Sequence, residues 1–579
     1  MQIKSPDLNI FCITTLFMAA SLSCLNAHAG PQTESQLNQT RNISAVQSKL
    51  GPFIRKMATE GDFQSSTMVK VKNQKRVQVY IRLSSAEEPD INELKALNVE
   101  IEVVNTQLKK AQAWVEISQL AALSQLANVE EINTPSFAYS RAGGANTEGD
   151  AILKANLLRD LGFSGQGIRV GIVSDGSNDW TSARDSADLP SSLRRFGSCT
   201  TQPEIIESCQ SERSCNEGTA MAEIIHDLAP SAELAVAAAS TTLEFIQGIN
   251  QLASVFKADI IVDDLGFYME PYFEDGDVAK AVAALPSDIL FISAAGNNGN
   301  NHYEADFKRF PTPNFEAHDF SSNDDKMGII IPARSFVLAF LQWNEKFDAP
   351  SSDYDLFITT NTIILGSGTN DQSQTGSKAI EIACASNPSS TNLNLTQTFV
   401  QIRQENGLDK RLEMFLVGSP LIEFPVPEGS IFGHSGLTRT LSVAAINAVE
   451  TGNDDIATYS SRGPSRIDFP NQQNRPKPDL TAIDGVTVSG AGGFSTTFFG
   501  TSAAAPHVAG IAAQLMSSSD RANAKTVHKA LTRGALDLGP SGFDSTYGFG
   551  LVDAILANAK LNQSNPIGPI MLLLGDDED

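Results

Sequence analysis

The sequence predicts an α/β protein in which a parallel sheet is preceded by a small α+β sandwich and interrupted by an inserted β-sandwich. Three observations lead there. Between about residues 150 and 310 short apolar runs alternate with helix-length segments; from 315 to 432 helical periodicity is absent; from 433 to about 560 the alternation returns. The chain has 579 residues, enough for about three or four domains. Its 41% hydrophobic and 19% charged content is that of a globular protein rather than a disordered or multi-span membrane chain. With 42 Lys and Arg against 67 Asp and Glu, the formal net charge is −25, which argues against nucleic acid as a partner.

In chain order, Lys4 precedes an apolar run from Ile10 to Leu22, and Ala27-His28-Ala29 places small residues at −3 and −1 of a cleavage site after Ala29. The run falls short of the roughly 20 apolar residues a membrane crossing needs. Residues 1–29 are therefore expected to be an export signal, leading to the periplasm or outside the cell; Ser21-Leu22-Ser23 before Cys24 is a poor lipoprotein motif.

Residues 30–145 are expected to form the α+β sandwich. Val77, Val79, Ile81 and Leu83 alternate with Gln78, Tyr80 and Arg82, the pattern of a half-buried strand. Ile91, Leu94 and Leu97 suggest a helix. Val99 to Val103 and Ala111 to Val115 suggest two strands, Leu120, Leu123 and Leu126 a second helix, and Val129 to Ile132 a closing strand. Ala142-Gly143-Gly144-Ala145 reads as a linker.

The first part of the α/β domain, 146–314, offers buried-strand candidates at 168–173, 234–236, 260–262 and 289–292. In the insert, 336–343, 354–359, 380–384, 398–404 and 412–417 look like strands between polar turns. The second α/β part spans 433–560. In the tail, 561–579, the Ile570 to Leu574 run before Asp576-Asp577-Glu578-Asp579 is too short to cross a bilayer.

After signal removal four cysteines remain: Cys199, Cys209, Cys215 and Cys384. In an oxidising compartment three pairings are open. A zinc site is disfavoured, because there is no C-x-x-C and no nearby His pair. Asp353-Tyr354-Asp355, with Asp348 nearby, could ligate a structural Ca²⁺, although solvated acidic turns are commoner; no other cofactor is expected.

The chemistry is concentrated in short stretches. Gly500-Thr501-Ser502-Ala503-Ala504-Ala505-Pro506-His507-Val508-Ala509-Gly510 starts a small-residue helix with a serine, where unpaired N–H groups and the positive dipole end face an oxyanion forming beside the hydroxyl. Gly-Thr-Ser alone could be a helix cap; the whole run resembles the subtilases, a serine protease family. Other stretches agree in order. Val170-Gly171-Ile172-Val173-Ser174-Asp175-Gly176 resembles the family strand ending in its catalytic Asp, and Ser293-Ala294-Ala295-Gly296-Asn297 the strand ending in its oxyanion Asn. Tyr459-Ser460-Ser461-Arg462-Gly463-Pro464, Lys477-Pro478-Asp479-Leu480 and the run from Tyr547 to Ala554 match further family stretches. The resemblance covers roughly 150–310 and 435–560 and implies a doubly wound, subtilisin-like sheet. The N-terminal sandwich resembles subtilase propeptides, which assist folding and cap the active site until removed.

One departure bears on mechanism. Where subtilases carry His-Gly-Thr, this chain has Glu217-Gly218-Thr219. His226 lies nine residues on, about 2.5 helical turns away, and cannot occupy the same point. His507 matches a family position that is not catalytic, and His302 and His434 match no role. Glu in place of the His is what the sedolisins use, through a Ser-Glu-Asp set at acid pH. Sedolisins carry their Asp four residues after the Glu, where this chain has Met221, and an Asp in the oxyanion hole, where it has Asn297. The chain thus resembles a sedolisin-like branch of the subtilases.

A free Glu, with a pKa of about 4.3, is a weak base. The expectation is that Asp175 and Glu217 share a proton, because two close carboxyls cannot readily both ionise. Glu217 would then activate Ser502, while Asn297 and the Ser502 N–H bind the oxyanion. Asp264, at the family's pocket-lining Ser position, could tune the pair or cap the strand end; for Asp263 the capping role is favoured. Phe267 and Tyr268 could narrow the pocket or pack the loop. The resemblance thus implies a secreted serine endopeptidase made as a precursor, with protein or peptide substrates and its own N-terminal domain as partners. The alternative is a catalytically silent, subtilase-like binding protein.

Overall fold

A computed structural model describes residues 49–563 apart from short stretches, the longest being 59–70 and 136–142. The expected export segment 1–29 and the 564–579 part of the tail lie outside the described residues. Among the described residues no helix is long and apolar enough to cross a membrane.

The N-terminal sandwich follows the expected order of strand, helix, two strands, helix and strand: Arg76–Leu83, Glu88–Ala96, Glu100–Asn105, Lys110–Glu116, Leu120–Ser124 and Val129–Asn133. The strands pair antiparallel, with Arg76–Leu83 between Lys110–Glu116 and Val129–Asn133. Val77, Val79, Ile81 and Leu83 point into one core with Ala111, Ala113 and Val115. The opposite face was expected to be half-exposed, yet Gln78, Tyr80 and Gln112 are buried too. A second body covers them. The Tyr80 hydroxyl bonds Thr242 Oγ1 at 2.7 Å, Thr241 Oγ1 donates to Gln112 Oε1 at 2.7 Å, and Lys110 pairs with Asp277.

That second body is built on a seven-stranded sheet, parallel throughout. Its spatial order is Arg194–Phe196, Glu233–Ala238, Arg169–Ser174, Ile260–Asp263, Leu290–Ala294, Leu441–Asn447, Leu480–Asp484. Helices cover both faces, so its strands are near-continuous apolar runs. On one face lie the helices Glu217–Leu228 and Thr501–Ser517, in the core that contains Met221, Ile224, Val508 and Ile511. On the other lie Thr242–Gln251 and Asp277–Ala283, with Phe245, Ile246, Val278 and Val282 in a second core.

Between Leu290–Ala294 and Leu441–Asn447 the chain builds the inserted sandwich. Its strands run from His302–Asp306 to Leu421–Ile422 and include Ser335–Trp343, Asp353–Thr359, Ile380–Asn387, Phe399–Asn406 and Arg411–Val417. One sheet orders His302–Asp306, Arg411–Val417, Ser335–Trp343 and Ile380–Asn387; the other is organised around Phe399–Asn406. Their inner faces close over Leu341, Trp343, Tyr354, Ile402 and Met414. The outer face of the first sheet carries Leu338, Phe340 and Phe415, which pack against Tyr268, Tyr272, Phe273 and Phe432.

Candidate active site

The sheet topology selects the place. From Arg169–Ser174 the next strands in sequence lie to one side, whereas Ile260–Asp263 and all later ones lie to the other. The crevice beyond the carboxyl ends of the strands at such a reversal is where doubly wound sheets bind ligands. Asp263 is in register with Val173 on one side and Ser293 on the other. Asp175, Asp264 and Asn297 therefore leave three adjacent strand ends within a few residues of one another.

Asp175 is 1% exposed and acts at a helix start. Its Oδ1 accepts the Glu217 N–H at 2.9 Å and its Oδ2 the Cys215 N–H at 2.8 Å. A carboxylate there satisfies main-chain donors that a helix leaves unpaired and meets the positive end of its dipole. The Cys199–Cys215 disulfide ties the same corner, which settles one of the open pairings; Cys384 is disulfide-bonded as well. A Cβ on Gly218 would sit 2.6 Å from Gly176 O, so only glycine lets the helix start this close to the Asp175 strand.

Glu217, fully buried, opens that helix, and Asp264, buried too, interacts with it. Carboxylates only accept hydrogen bonds, so a carboxyl-to-carboxyl bond requires one of the two to carry a proton. Burial first, then the charges of Glu217, Asp175 and Asp263, push the Asp264 pKa well above the usual carboxylate range. Its Oδ2 accepts the Ser174 hydroxyl at 3.2 Å, and its Oδ1 receives no N–H or O–H donor from the described residues. Asp175, expected to share a proton with Glu217, accepts two backbone N–H groups, and Asp264 is a further acid beside Glu217 with a raised pKa.

Ser502 is the second residue of its helix and fully buried. The Glu217 and Ser502 helices run side by side in the same direction. Gln514 Nε2 donates to Leu228 O at 2.8 Å, and a Cβ on Gly510 would meet Leu228 Cβ at 2.8 Å. Leu228 is eleven residues beyond Glu217, while Gly510 and Gln514 are eight and twelve beyond Ser502, so the two first turns stand level. The Ser502 hydroxyl makes no hydrogen bond with the described residues. Asn297 Oδ1 accepts the Thr501 N–H and hydroxyl, both at 3.0 Å. The N–H can only donate, which fixes the carbonyl end of the amide toward the helix and leaves the NH₂ as the end with donors to offer.

Asp263 points to the opposite side of its strand, where its Oδ2 accepts the Leu265 N–H at 3.2 Å and meets His434 Nε2 at 2.8 Å. The sequence did not disclose this His434 pairing, because the partners are 171 residues apart. His507 bonds the Ala503 carbonyl within its own helix, and burial lowers its pKa to about 4; burial also lowers that of His226. His302 lies in the insert against the Val426 carbonyl. Phe267 packs beneath the sheet against Phe245, and Tyr268 against the insert. Among the acids considered for Ca²⁺, Asp348 is ion-paired with Lys378 at 2.6 Å and Asp353 accepts the Gln372 N–H. No group of three or more His, Cys, Asp or Glu among the described residues is arranged to hold a metal ion.

The chain is similar to the Clostridium perfringens CspB protease, at 16% identity and a TM-score of 0.46, over 72% of this chain and 99% of that one. It is similar to a lanthipeptide protease at 16% identity and a TM-score of 0.35, over 73% of this chain and 100% of that one. Residues 214–550, well over half the chain and including both Glu217 and Ser502, match the model of the subtilase family. The chain belongs to the subtilase family, whose protease fold it has.

Proposed function

We propose that the chain is an exported serine endopeptidase of a sedolisin-like branch, made as a precursor, with Ser502 as nucleophile, Glu217 as general base and Asp264 as proton-holding partner of that base. One observation carries the reading: Glu217 and Ser502, both buried, open two helices that pack side by side, with the buried acid Asp264 interacting with Glu217. In this reading Asp264 holds a proton and donates it in a hydrogen bond to Glu217, so Glu217 is kept as the carboxylate. On attack the Ser502 oxygen forms a bond to the peptide carbonyl carbon and its proton passes to Glu217. The carbonyl oxygen, now an anion, is held by the Asn297 NH₂ and the Ser502 N–H. Collapse breaks the C–N bond and the leaving amine takes the proton back. Water then repeats the sequence on the acyl-enzyme.

Asp175 fixes the start of the Glu217 helix by accepting the Cys215 and Glu217 N–H groups. The N-terminal sandwich, seated on Thr241, Thr242 and Asp277, fits the part of a propeptide. Substrates are peptides or proteins. The test is self-processing and fluorophosphonate labelling of the purified chain between pH 3 and 8. Labelling at Ser502, with hydrolysis lost in Ser502→Ala, supports the enzyme. Neither reaction at any pH overturns it in favour of a silent binding protein.

A further inference from the structure

The inserted sandwich lies outside the catalytic machinery in sequence, yet it touches the segment that borders the crevice. Residues 265–273 follow Asp264 directly; Phe267 packs beneath the main sheet, while Tyr268, Tyr272 and Phe273 turn into the outer face of the insert. Tyr268 stacks on Phe340 at 5.3 Å between centroids, and Tyr272 meets Phe415 edge-on at 4.9 Å. Gln342, 1% exposed on the insert strand Ser335–Trp343, treats this segment as a neighbouring strand would. Its Oε1 accepts the Tyr272 N–H at 3.1 Å, and its Nε2 donates to the Glu270 carbonyl at 2.8 Å and the Tyr268 carbonyl at 3.4 Å.

The contact extends to the oxyanion side. The Tyr268 hydroxyl donates to Asn298 Oδ1 at 2.7 Å, and the Asn298 N–H donates to Ser461 Oγ at 3.1 Å. Asn298 follows Asn297, whose carbonyl end is fixed by Thr501. A buried tyrosine whose ring belongs to the insert and whose hydroxyl belongs to the oxyanion turn couples the two. Packing alone would not demand that hydroxyl, and a surface-decorating insert would not demand Gln342.

We propose that the insert is a brace for the active site: Gln342 sets the backbone of residues 265–273 along the cleft, and Tyr268 passes that constraint to the Asn297-Asn298 turn. Both are positioning residues, and their kinetic effect rests on the proposed protease activity. Tyr268→Phe keeps the ring and removes only the bond to Asn298. It is expected to lower kcat about tenfold with KM changed less than about twofold, because an oxyanion donor placed less well loses transition-state binding alone. Gln342→Ala is expected to raise KM for peptides about threefold or more. In the full-length chain it should quicken amide hydrogen exchange across 265–273 about tenfold, while the strand Arg169–Ser174 keeps its protection. Unchanged exchange in a folded Gln342→Ala protein, or unchanged kcat in a folded Tyr268→Phe protein, overturns the brace. A wild-type chain that neither hydrolyses peptides nor labels at Ser502 defeats the protease reading instead, and the exchange experiment still decides whether the insert holds the loop.

Discussion

Buried acids occur both at the carboxyl ends of the parallel sheet and inside the inserted sandwich, and the two regions treat them oppositely. In the insert, burial acts to raise the pKa of Glu345, but the Lys410 ammonium and donors from Ser351 and Ser352 outweigh it and lower it to about 2. At the site, Asp264 receives one hydroxyl and otherwise faces other acids, and its pKa rises. Glu381, also in the insert, lies between them. It accepts the Asn370 N–H and the Gln372 amide with no cation beside it, and burial raises it to about 8. Depth alone therefore does not make a proton-holding group. Of these three acids, the one whose pKa is lowered is the one with a lysine among its hydrogen-bond partners.

The sharpest break of this contrast is Glu217→Gln, which removes the base and keeps the shape. The proposed mechanism expects a loss of about 10⁴-fold in kcat, the scale seen when a triad member loses its function. Retention of more than a tenth of the activity would show that Glu217 is not the base. Asp264→Asn comes next, with about 10²-fold lost and a displaced pH–rate profile, since the proton of the pair can no longer leave. It has a stability counterpart. A folded-state pKa above the unfolded value gives stability that is present below the unfolded carboxyl range and is lost as pH rises toward the folded pKa. Denaturant titrations should show Asp264→Asn less sensitive to raising pH from 5 to 8 than wild type; equal slopes would mean Asp264 is ionised in the folded chain.

Much of this site was legible in the sequence, because its residues sit in contiguous runs at strand ends and helix starts. Asp175 and Asn297 follow apolar runs that read as buried strands, and Glu217 and Ser502 lie in runs that resemble family motifs. Two things were not legible. The pairing of Glu217 with Asp264 depends on which strands become neighbours, and 47 residues separate the two in the chain. The burial of Tyr80, Gln78 and Gln112 depends on a second body covering a face that, in isolation, reads as solvated. The insert strands were legible from their alternation, but not that Gln342, a polar residue in an apolar strand, faces the catalytic domain.

Glu381→Gln tests the intermediate case. Glu381 Oε1 takes the Asn370 N–H and the Gln372 amide, and Oε2 accepts longer bonds from the Ile382 N–H at 3.3 Å and the Asn370 amide at 3.4 Å, so a Gln keeps its carbonyl on the Oε1 donors and gives up the two longer bonds. Below pH 5 the variant should be less stable than wild type by about 1 kcal/mol. Between about pH 5 and 8 it should escape a loss of ~1.4 kcal/mol per pH unit, the value of one proton. Parallel stability curves would show that the amide donors alone keep Glu381 ionised.

Glu345→Gln carries the smallest effect and the opposite sign. Glu345 Oε1 lies 2.9 Å from Lys410 Nζ and accepts the Ser351 and Ser352 hydroxyls, and Oε2 takes both serine N–H groups. A Gln presents an NH₂ to donors on one side and leaves the ammonium without its counter-charge, a cost of about 1 kcal/mol at pH 7 because Lys410 retains some access to water. A depressed folded-state pKa gives stability that is present above the unfolded value near 4.5 and lost as pH falls toward 2. The difference between variant and wild type should accordingly shrink from pH 7 to pH 3. A cost that stays constant over that interval would mean the serine bonds, and not the charge, hold Glu345, and the contrast with Asp264 would then rest on neutral donors alone.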